Sequence, residues 1–193
     1  MERLFENDER TAFLDKGMFT NINLLEQCIK IIEPQLQERP EIIVYGKQCK
    51  QNRYVSFFSN TSIGYKYSGK LMKSIPLPEP MLELLISVNK LLGAEFNGIL
   101  VNKYMDGNDY ISAHSDDEKG LDTIGVVSIS YGAERNFRIR NKKDKKIIHN
   151  ELTTHSSILH MGGNFQQLYT HEIPIQKKIK EPRISFTFRK HNI

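Results

Sequence analysis

From about residue 95 to residue 190 the chain breaks into short β-rich runs separated by turn residues: "FNGILVNKYM", "TIGVVSISYG", "RNFRIRN", "KIIHNELT", "SSILHMG", "FQQLYTHEI" and "RISFTFRK". Each run is too short to be stable alone. Their number and even spacing require that they close on one another as an all-β sandwich or barrel. What precedes them reads differently. "NINLLEQCIKIIEP" carries apolar residues at Ile22, Leu25, Ile29 and Ile32, a helical spacing that stops before Pro34. "MLELLISVNKLLG" (81–93) carries a second stripe, Leu84, Leu85, Val88, Leu91 and Leu92, closed by Gly93. Between the helices, "EIIVYGK" (41–47) and "NRYVSFF" (52–58) predict strands joined by a basic connection. "SIGYKYSG" continues in β-like composition, and the proline-rich "SIPLPEP" is a connector. The expectation is two helices ahead of a β-barrel or jelly roll, in one domain spanning residues 1–193. The 39% of hydrophobic residues is enough for a single core.

Within the β-rich half, "ISAHSDDE" holds His114 and Asp116 two residues apart. In an extended segment those side chains point to the same side, while Ser115 points away. His171, in "QLYTHEIP", lies 171 − 114 = 57 residues further on, so only the fold can bring it to the pair. Two imidazoles and one carboxylate form the ligand set of a non-haem iron(II) oxygenase, with one face of the metal left open. A histidine followed two residues later by an aspartate also arises by chance, so the spacing alone leaves the matter open. The last run has a similar ambiguity. "PRISFTFRKH" puts Arg183, Ser185, Thr187 and Arg189 on one face and Ile184, Phe186 and Phe188 on the other. Either the apolar set faces a core and the arginines face water, or the arginines face an interior that an anion must neutralise. Asn102 and Tyr104 in "VNKY" alternate in the same way and favour the second reading. An arginine fork beside a tyrosine hydroxyl suits a small dicarboxylate.

Composition excludes some classes. Lys+Arg 27 against Asp+Glu 23 leaves +4, a mild excess that permits a polyanionic partner. Cys28 and Cys49 have neither disulfide nor zinc-finger spacing. The opening "MERLFENDERTAFLDKG" is charged where a signal peptide needs an apolar core, and no run approaches about 18 apolar residues. An intracellular protein is expected, in nucleus or cytoplasm, with no membrane partner and nothing that requires more than a monomer.

Taken together, "VNKYMDGNDYISAHSDDE", "ISYGAERNFRIRNK", "SILHMGG", "YTHEIP" and "EPRISFTFR" resemble the AlkB group of iron(II)- and 2-oxoglutarate-dependent nucleic-acid dealkylases, over roughly residues 40 to 190. Within that group the chain looks most like the eukaryote-type members that repair double-stranded DNA. The reasons are "VYGK", "YKYSG" and the lysine pair in "IQKKIKEPR". The resemblance implies a mostly β fold with flanking helices (α+β), built as a double-stranded β-helix, or jelly roll. Its catalytic core would span about 95–190, and an N-terminal nucleotide-recognition β segment about 40–75. By resemblance, His114, Asp116 and His171 match the iron ligands. Arg183 matches the arginine that pairs with the distal carboxylate of 2-oxoglutarate. Arg189 matches a second arginine near the metal end of the co-substrate and the ligand aspartate. Asn102, Tyr104 and Thr187 match further co-substrate contacts, and Ser185 stands where the family usually has asparagine.

The same resemblance supplies expectations for the substrate. Val44, Tyr45 and Gly46 match a hydrophobic finger that enters the base stack, followed by Lys47. Tyr65 and Tyr67 match a lid over a flipped base. Packing on the barrel is an equally good account of these aromatics. Asp117 and Glu118 resemble acidic contacts to the base edge, where an acid accepts from an exocyclic amino group. Basic residues group as Lys47, Lys50 and Arg53, as Lys177, Lys178 and Lys180, and as "KKDKK" (142–146). The last reads first as a polar hairpin tip, and the other two are expected to grip phosphates. His149, His155, His160 and His191 are expected on the surface or in packing, although His160 and Gln166 could line a pocket mouth. The implied cofactors are iron(II), 2-oxoglutarate and O2, and the implied reaction is oxidative demethylation of 1-methyladenine or 3-methylcytosine in DNA, with duplex DNA the expected substrate. The alternatives are demethylation of RNA or of single strands, protein hydroxylation by the same chemistry, and a non-catalytic β-sandwich binding module.

Overall fold

Every residue of the last run, Arg183–Arg189, is buried, so both of its faces must be covered. A computed structural model, which describes residues 1–44, 46–67, 70–116 and 124–191, shows what covers them. The strands are β1 (Glu2–Glu6), β2 (Ala12–Met18), β3 (Glu41–Val44), β4 (Lys47–Lys50), β5 (Tyr54–Phe58), β6 (Gly64–Tyr67), β7 (Lys70–Lys73) and β8 (Gly98–Tyr104). They continue with β9 (Ile111–His114), β10 (Val126–Gly132), β11 (Arg135–Asn141), β12 (Ile147–Thr153), β13 (Ser157–Gly163), β14 (Tyr169–Ile173) and β15 (Arg183–Arg189). The helices are α1 (Ile22–Ile32), α2 (Glu79–Leu92) and the short α3 (Phe165–Leu168).

A larger sheet runs β1-β2-β13-β10-β15-β8-β5 and a smaller one β12-β11-β14-β9. From β8 onward the chain passes back and forth between them, with β8, β10, β13 and β15 in the larger sheet and β9, β11, β12 and β14 in the smaller. That is the expected jelly roll. Helices α1 and α2 close the outer face of the larger sheet: Leu25, Cys28, Leu84 and Val88 pack with Val101, Ile129, Phe186 and Phe188. Between the sheets Leu14, Phe137, Ile139, Leu159 and Met161 form a second cluster. The apolar face of β15 therefore meets helices, and Arg183, Ser185, Thr187 and Arg189 face the space between the sheets.

The local details depart from the sequence expectation in places. Helix α1 begins where the Asn21 side-chain oxygen Oδ1 accepts from the Leu24 amide at 3.1 Å. It buries Leu24, Leu25, Cys28 and Ile32, with Ile22 and Ile29 at the edge. The helix is thus turned slightly from the Ile22–Leu25–Ile29–Ile32 stripe. Helix α2 starts two residues before Met81, because Pro80 falls in the first turn, where a missing N–H costs nothing. Leu91 lies outside its buried face, 54% exposed. The run 41–47 is a hairpin and not one strand: β3 pairs with β4, and Gly46 turns with φ +75°. The charged N-terminus, which carried no strand signal, forms the β1–β2 hairpin, and β2 extends the larger sheet by pairing with β13. Among the described residues no helix is long and apolar enough to cross a membrane.

Both cysteines are free. Cys28 is buried and Cys49 exposed, and burial pushes the Cys28 thiol up to about 12. Only the thiolate reacts with alkylating reagents. Iodoacetamide should therefore add one label to the native protein and two after denaturation, as read by intact mass. Two labels without denaturant would mean that the α1 face opens.

Candidate metal centre

Two strands and the segment that follows the first of them build the site. His114 ends β9 and pairs in register with His171 on β14, which places the two rings 4.3 Å apart between centroids. Asp116 follows two residues after His114 and is 5% exposed. His171 Nε2 lies 3.5 Å from Asp116 Oδ2, and one ligand atom from each of the three residues falls within 4.8 Å of the others. The fold thus supplies the proximity that the 57-residue separation left open.

Each ligand is held. His114 Nδ1 lies 2.8 Å from the Ser112 carbonyl oxygen, so that nitrogen donates and Nε2 is left as the lone-pair donor. The His171 ring stacks on Phe137 of β11 at 5.2 Å and 19°. Gln166 Oε1 accepts from the Asp116 amide at 2.9 Å, and Ser115 Oγ donates to the Tyr169 carbonyl oxygen at 2.8 Å. Helix α3 thus holds Asp116, and Ser115 ties the segment between the first two ligands to the strand bearing the third.

The electrostatics suit a cation. Burial opposes ionisation of Asp116, but Arg189, with Nη1 3.3 Å from Oδ1, outweighs it together with the neighbouring histidines and brings the carboxyl to about 2. Burial pushes His171 down to about 3, with His114 adding to the effect. Burial also lowers His114. At neutral pH the set is one carboxylate and two neutral imidazoles, the state a metal needs. Two nitrogens and one oxygen, with no fourth protein ligand among the described residues, suit non-haem iron(II).

These ligands open into a cavity lined by Asn102, Tyr104, Arg183, Ser185, Thr187 and Arg189. Arg183 is 2% exposed; its Nη2 donates to Ser130 Oγ at 2.9 Å, while Nε and Nη1 have no hydrogen-bond partner among the described residues. Burial drives this guanidinium down to about 10, against support from Tyr104. A buried cation with two unused donors fits a carboxylate, which is the test that 2-oxoglutarate must pass. Ser185 sits across the sheet from Asn102 on one side and Ser130 on the other.

The substrate expectations are placed less completely. Tyr65 is 5% exposed, lines the cavity, and lies over the Arg189 guanidinium at 4.6 Å and beside Phe57. Gly46, Lys47, Lys177 and Lys178 are exposed. Val44 and Tyr67 are described as strand backbone only, and Tyr45, Asp117 and Glu118 lie outside the described residues. The hairpin "KKDKK" is the β11–β12 turn, as expected.

Two expectations are corrected. Arg53 does not join Lys47 and Lys50 on the surface: it is 3% exposed, lines the cavity, and donates from Nε to Asn102 Oδ1 at 2.7 Å. A signal was present, since Arg53 shares its phase with Val55 and Phe57, both buried. His160 and Gln166 do not line the cavity. His160 bonds the Ile124 carbonyl oxygen beside Phe13, and Gln166 holds Asp116.

Comparison with known proteins agrees with this geometry. The family described as the 2OG-Fe(II) oxygenase superfamily matches residues 14–189. The chain is 31% identical over 157 residues to DNA oxidative demethylase ALKBH2 of Bos taurus, covering 76% of this chain and 56% of the relative. It is 32% identical over 136 residues to alpha-ketoglutarate-dependent dioxygenase alkB homolog 3 of Homo sapiens, covering 65% and 47%. The chain thus spans about half the length of these curated relatives. Among solved structures, "The structure of OsALKBH1" superposes with a TM-score of 0.62 at 16% identity, covering 98% of this chain and all of that one, a likeness of fold alone.

Proposed function

We propose that this chain, which belongs to the 2OG-Fe(II) oxygenase superfamily, is a dioxygenase that demethylates N-alkylated bases of the 1-methyladenine and 3-methylcytosine type in DNA, with duplex preferred. The observation that carries the chemistry is the meeting of a His-Asp-His set and a buried, half-partnered arginine in one cavity. Family membership implies iron(II), 2-oxoglutarate and O2. Bound there, they supply a C–H hydroxylation in which 2-oxoglutarate becomes succinate and carbon dioxide.

The residues do the rest. His114, Asp116 and His171 would hold iron(II), and the cavity they open into would take the co-substrate. Arg183 receives the distal carboxylate on Nε and Nη1, and Arg189 keeps Asp116 ionised and turned toward the metal. Phe137 and Tyr65 close the walls against water. Hydroxylation converts N–CH3 to N–CH2OH with one oxygen atom of O2, the other entering succinate. The hydroxymethyl group then leaves as formaldehyde: its O–H proton passes to water and the electron pair of the breaking N–C bond returns to the base nitrogen, so no leaving-group catalyst is needed.

The names of the relatives support DNA as substrate. So does the placement of basic residues. Hairpin β6–β7 reaches the cavity through Tyr65, and Lys70 ties it to Glu41 of β3–β4 at 3.2 Å. Exposed Lys47 and Lys50 lie on that second hairpin. Lys177, Lys178 and Lys180 are exposed on the loop between β14 and β15. Anaerobic loading with iron(II) and 2-oxoglutarate, then air and a 1-methyladenine oligonucleotide, should give one methyl lost per succinate and formaldehyde. Duplex should be processed faster than single strand, its binding should weaken steeply with salt, and Tyr45→Ala should lower duplex activity more than single-strand activity. Succinate without demethylation, on DNA or RNA, would redirect the same chemistry to a protein substrate.

A further inference from the structure

Arg135, at the start of β11, is 1% exposed and pairs with no carboxylate among the described residues; it donates instead to main-chain carbonyls. Nη1 reaches the Asp106 oxygen at 3.0 Å, while Nη2 reaches Asp109 at 2.7 Å and Pro174 at 2.9 Å. Nε meets Gln176 Oε1 at 3.3 Å, and the same oxygen accepts from the Asn136 amide at 2.8 Å. One guanidinium therefore fastens two loops, 105–110 and 174–182. The loops are also joined directly, Gly107 N to Ile179 O at 2.9 Å and Gln176 N to Gly107 O at 2.8 Å. The approach is so close that a methyl group on Gly107 would run into the Gln176 carbonyl oxygen.

The other face of this joint is the co-substrate cavity. Arg135 lies 5.6 Å from the centre of the Tyr104 ring, and Arg183 lies 5.5 Å from it. Tyr104 is 2% exposed and packs beside both guanidinium groups. The far end of the second loop carries Lys177, Lys178 and Lys180. A lysine in place of Arg135 could not span three carbonyls, because the fork that reaches them is particular to guanidinium.

We infer that Arg135 is a positioning residue that makes Tyr104, the 105–110 loop and the basic 174–182 loop one unit, setting affinity for 2-oxoglutarate and for duplex DNA without taking part in the chemistry. The inference rests on the proposed function for its ligands, though not for the clamp itself. The test compares the full chain with Arg135→Lys, Arg135→Met and the milder Gln176→Ala. Binding of 2-oxoglutarate to Mn(II)-loaded protein is measured by calorimetry, binding of duplex DNA by anisotropy, and amide exchange by mass spectrometry.

Both Arg135 variants should bind 2-oxoglutarate and duplex about tenfold more weakly, with smaller losses for Gln176→Ala, the scale on which supporting residues act. Turnover at saturating co-substrate should stay within about threefold, the pattern of lost uniform binding. The Gly107 and Gln176 amides should exchange faster. Unchanged affinities, or a fall in turnover at unchanged affinity, would overturn the inference, and so would unchanged exchange in Gln176→Ala should the Arg135 variants fail to fold. If the unaltered protein bound no 2-oxoglutarate, the proposed function would fail, and the exchange measurement would still decide the clamp.

Discussion

Asp116→Ala should abolish succinate formation and weaken Mn(II) or Co(II) binding by more than about 100-fold, the upper range for losing a group that merely supports a ligand. Two imidazoles alone would remain, with no negative charge to hold a divalent cation in a buried site. The same change withdraws a counter-charge from Arg189, which is 1% exposed and 3.3 Å from the carboxylate. The variant should therefore also lose about 1–3 kcal/mol of stability. Asp116→Asn separates the two effects, since it keeps the side-chain volume and a hydrogen-bond acceptor for Arg189 while losing the metal. Metal titration by calorimetry, with thermal unfolding of the same samples, reads both. Metal affinity within about tenfold of the unaltered protein would sink the assignment of Asp116 as a ligand.

The parts of this protein that were legible in advance are those where a period of two coincides with chemistry. Arg183, Ser185, Thr187 and Arg189 against Ile184, Phe186 and Phe188 already state that one strand has two different surroundings. What the pattern left open was which face is inside, and the answer is both: helices α1 and α2 cover one face and the smaller sheet the other. The β1–β2 hairpin was illegible for the opposite reason. It is an added edge whose Arg3 pairs with Asp15 and Glu6, so its charges satisfy one another across strands and mimic a disordered polar terminus. Arg53 and Arg135 were hidden by composition. Each sits among other basic residues in the sequence, and only its phase with Val55 and Phe57, or with Phe137 and Ile139, marks it as inward. Gln166 had no signal, since its partner is a backbone amide 50 residues away.

Arg183→Met should raise the KM for 2-oxoglutarate by about 100- to 4,000-fold, while leaving the folded protein as stable as before or more so. The first part follows from the two donors, Nε and Nη1, that the protein leaves unpartnered. Two charge-assisted bonds to one carboxylate are together worth about 3–5 kcal/mol, and every ~1.4 kcal/mol is a factor of ten. The second part follows from what the arginine costs when the site is empty. Its guanidinium is buried, with Ser130 and the Tyr104 hydroxyl beside it and no carboxylate paired with it among the described residues, and is held down to about 10 by that burial, with Arg135 nearby adding to the effect. A buried charge without a counter-ion is replaced by an apolar side chain at little or no cost. Arg183 thus trades stability of the free protein for affinity. Its loss should also abolish the rise in melting temperature that 2-oxoglutarate gives the unaltered protein. Arg183→Lys should recover only part of the affinity, because an ammonium cannot present two parallel donors. Steady-state succinate assays and melting curves with and without 2-oxoglutarate test all three statements together. A variant that melts lower than the unaltered free protein, with KM changed less than about threefold, would place the co-substrate carboxylate elsewhere in the cavity.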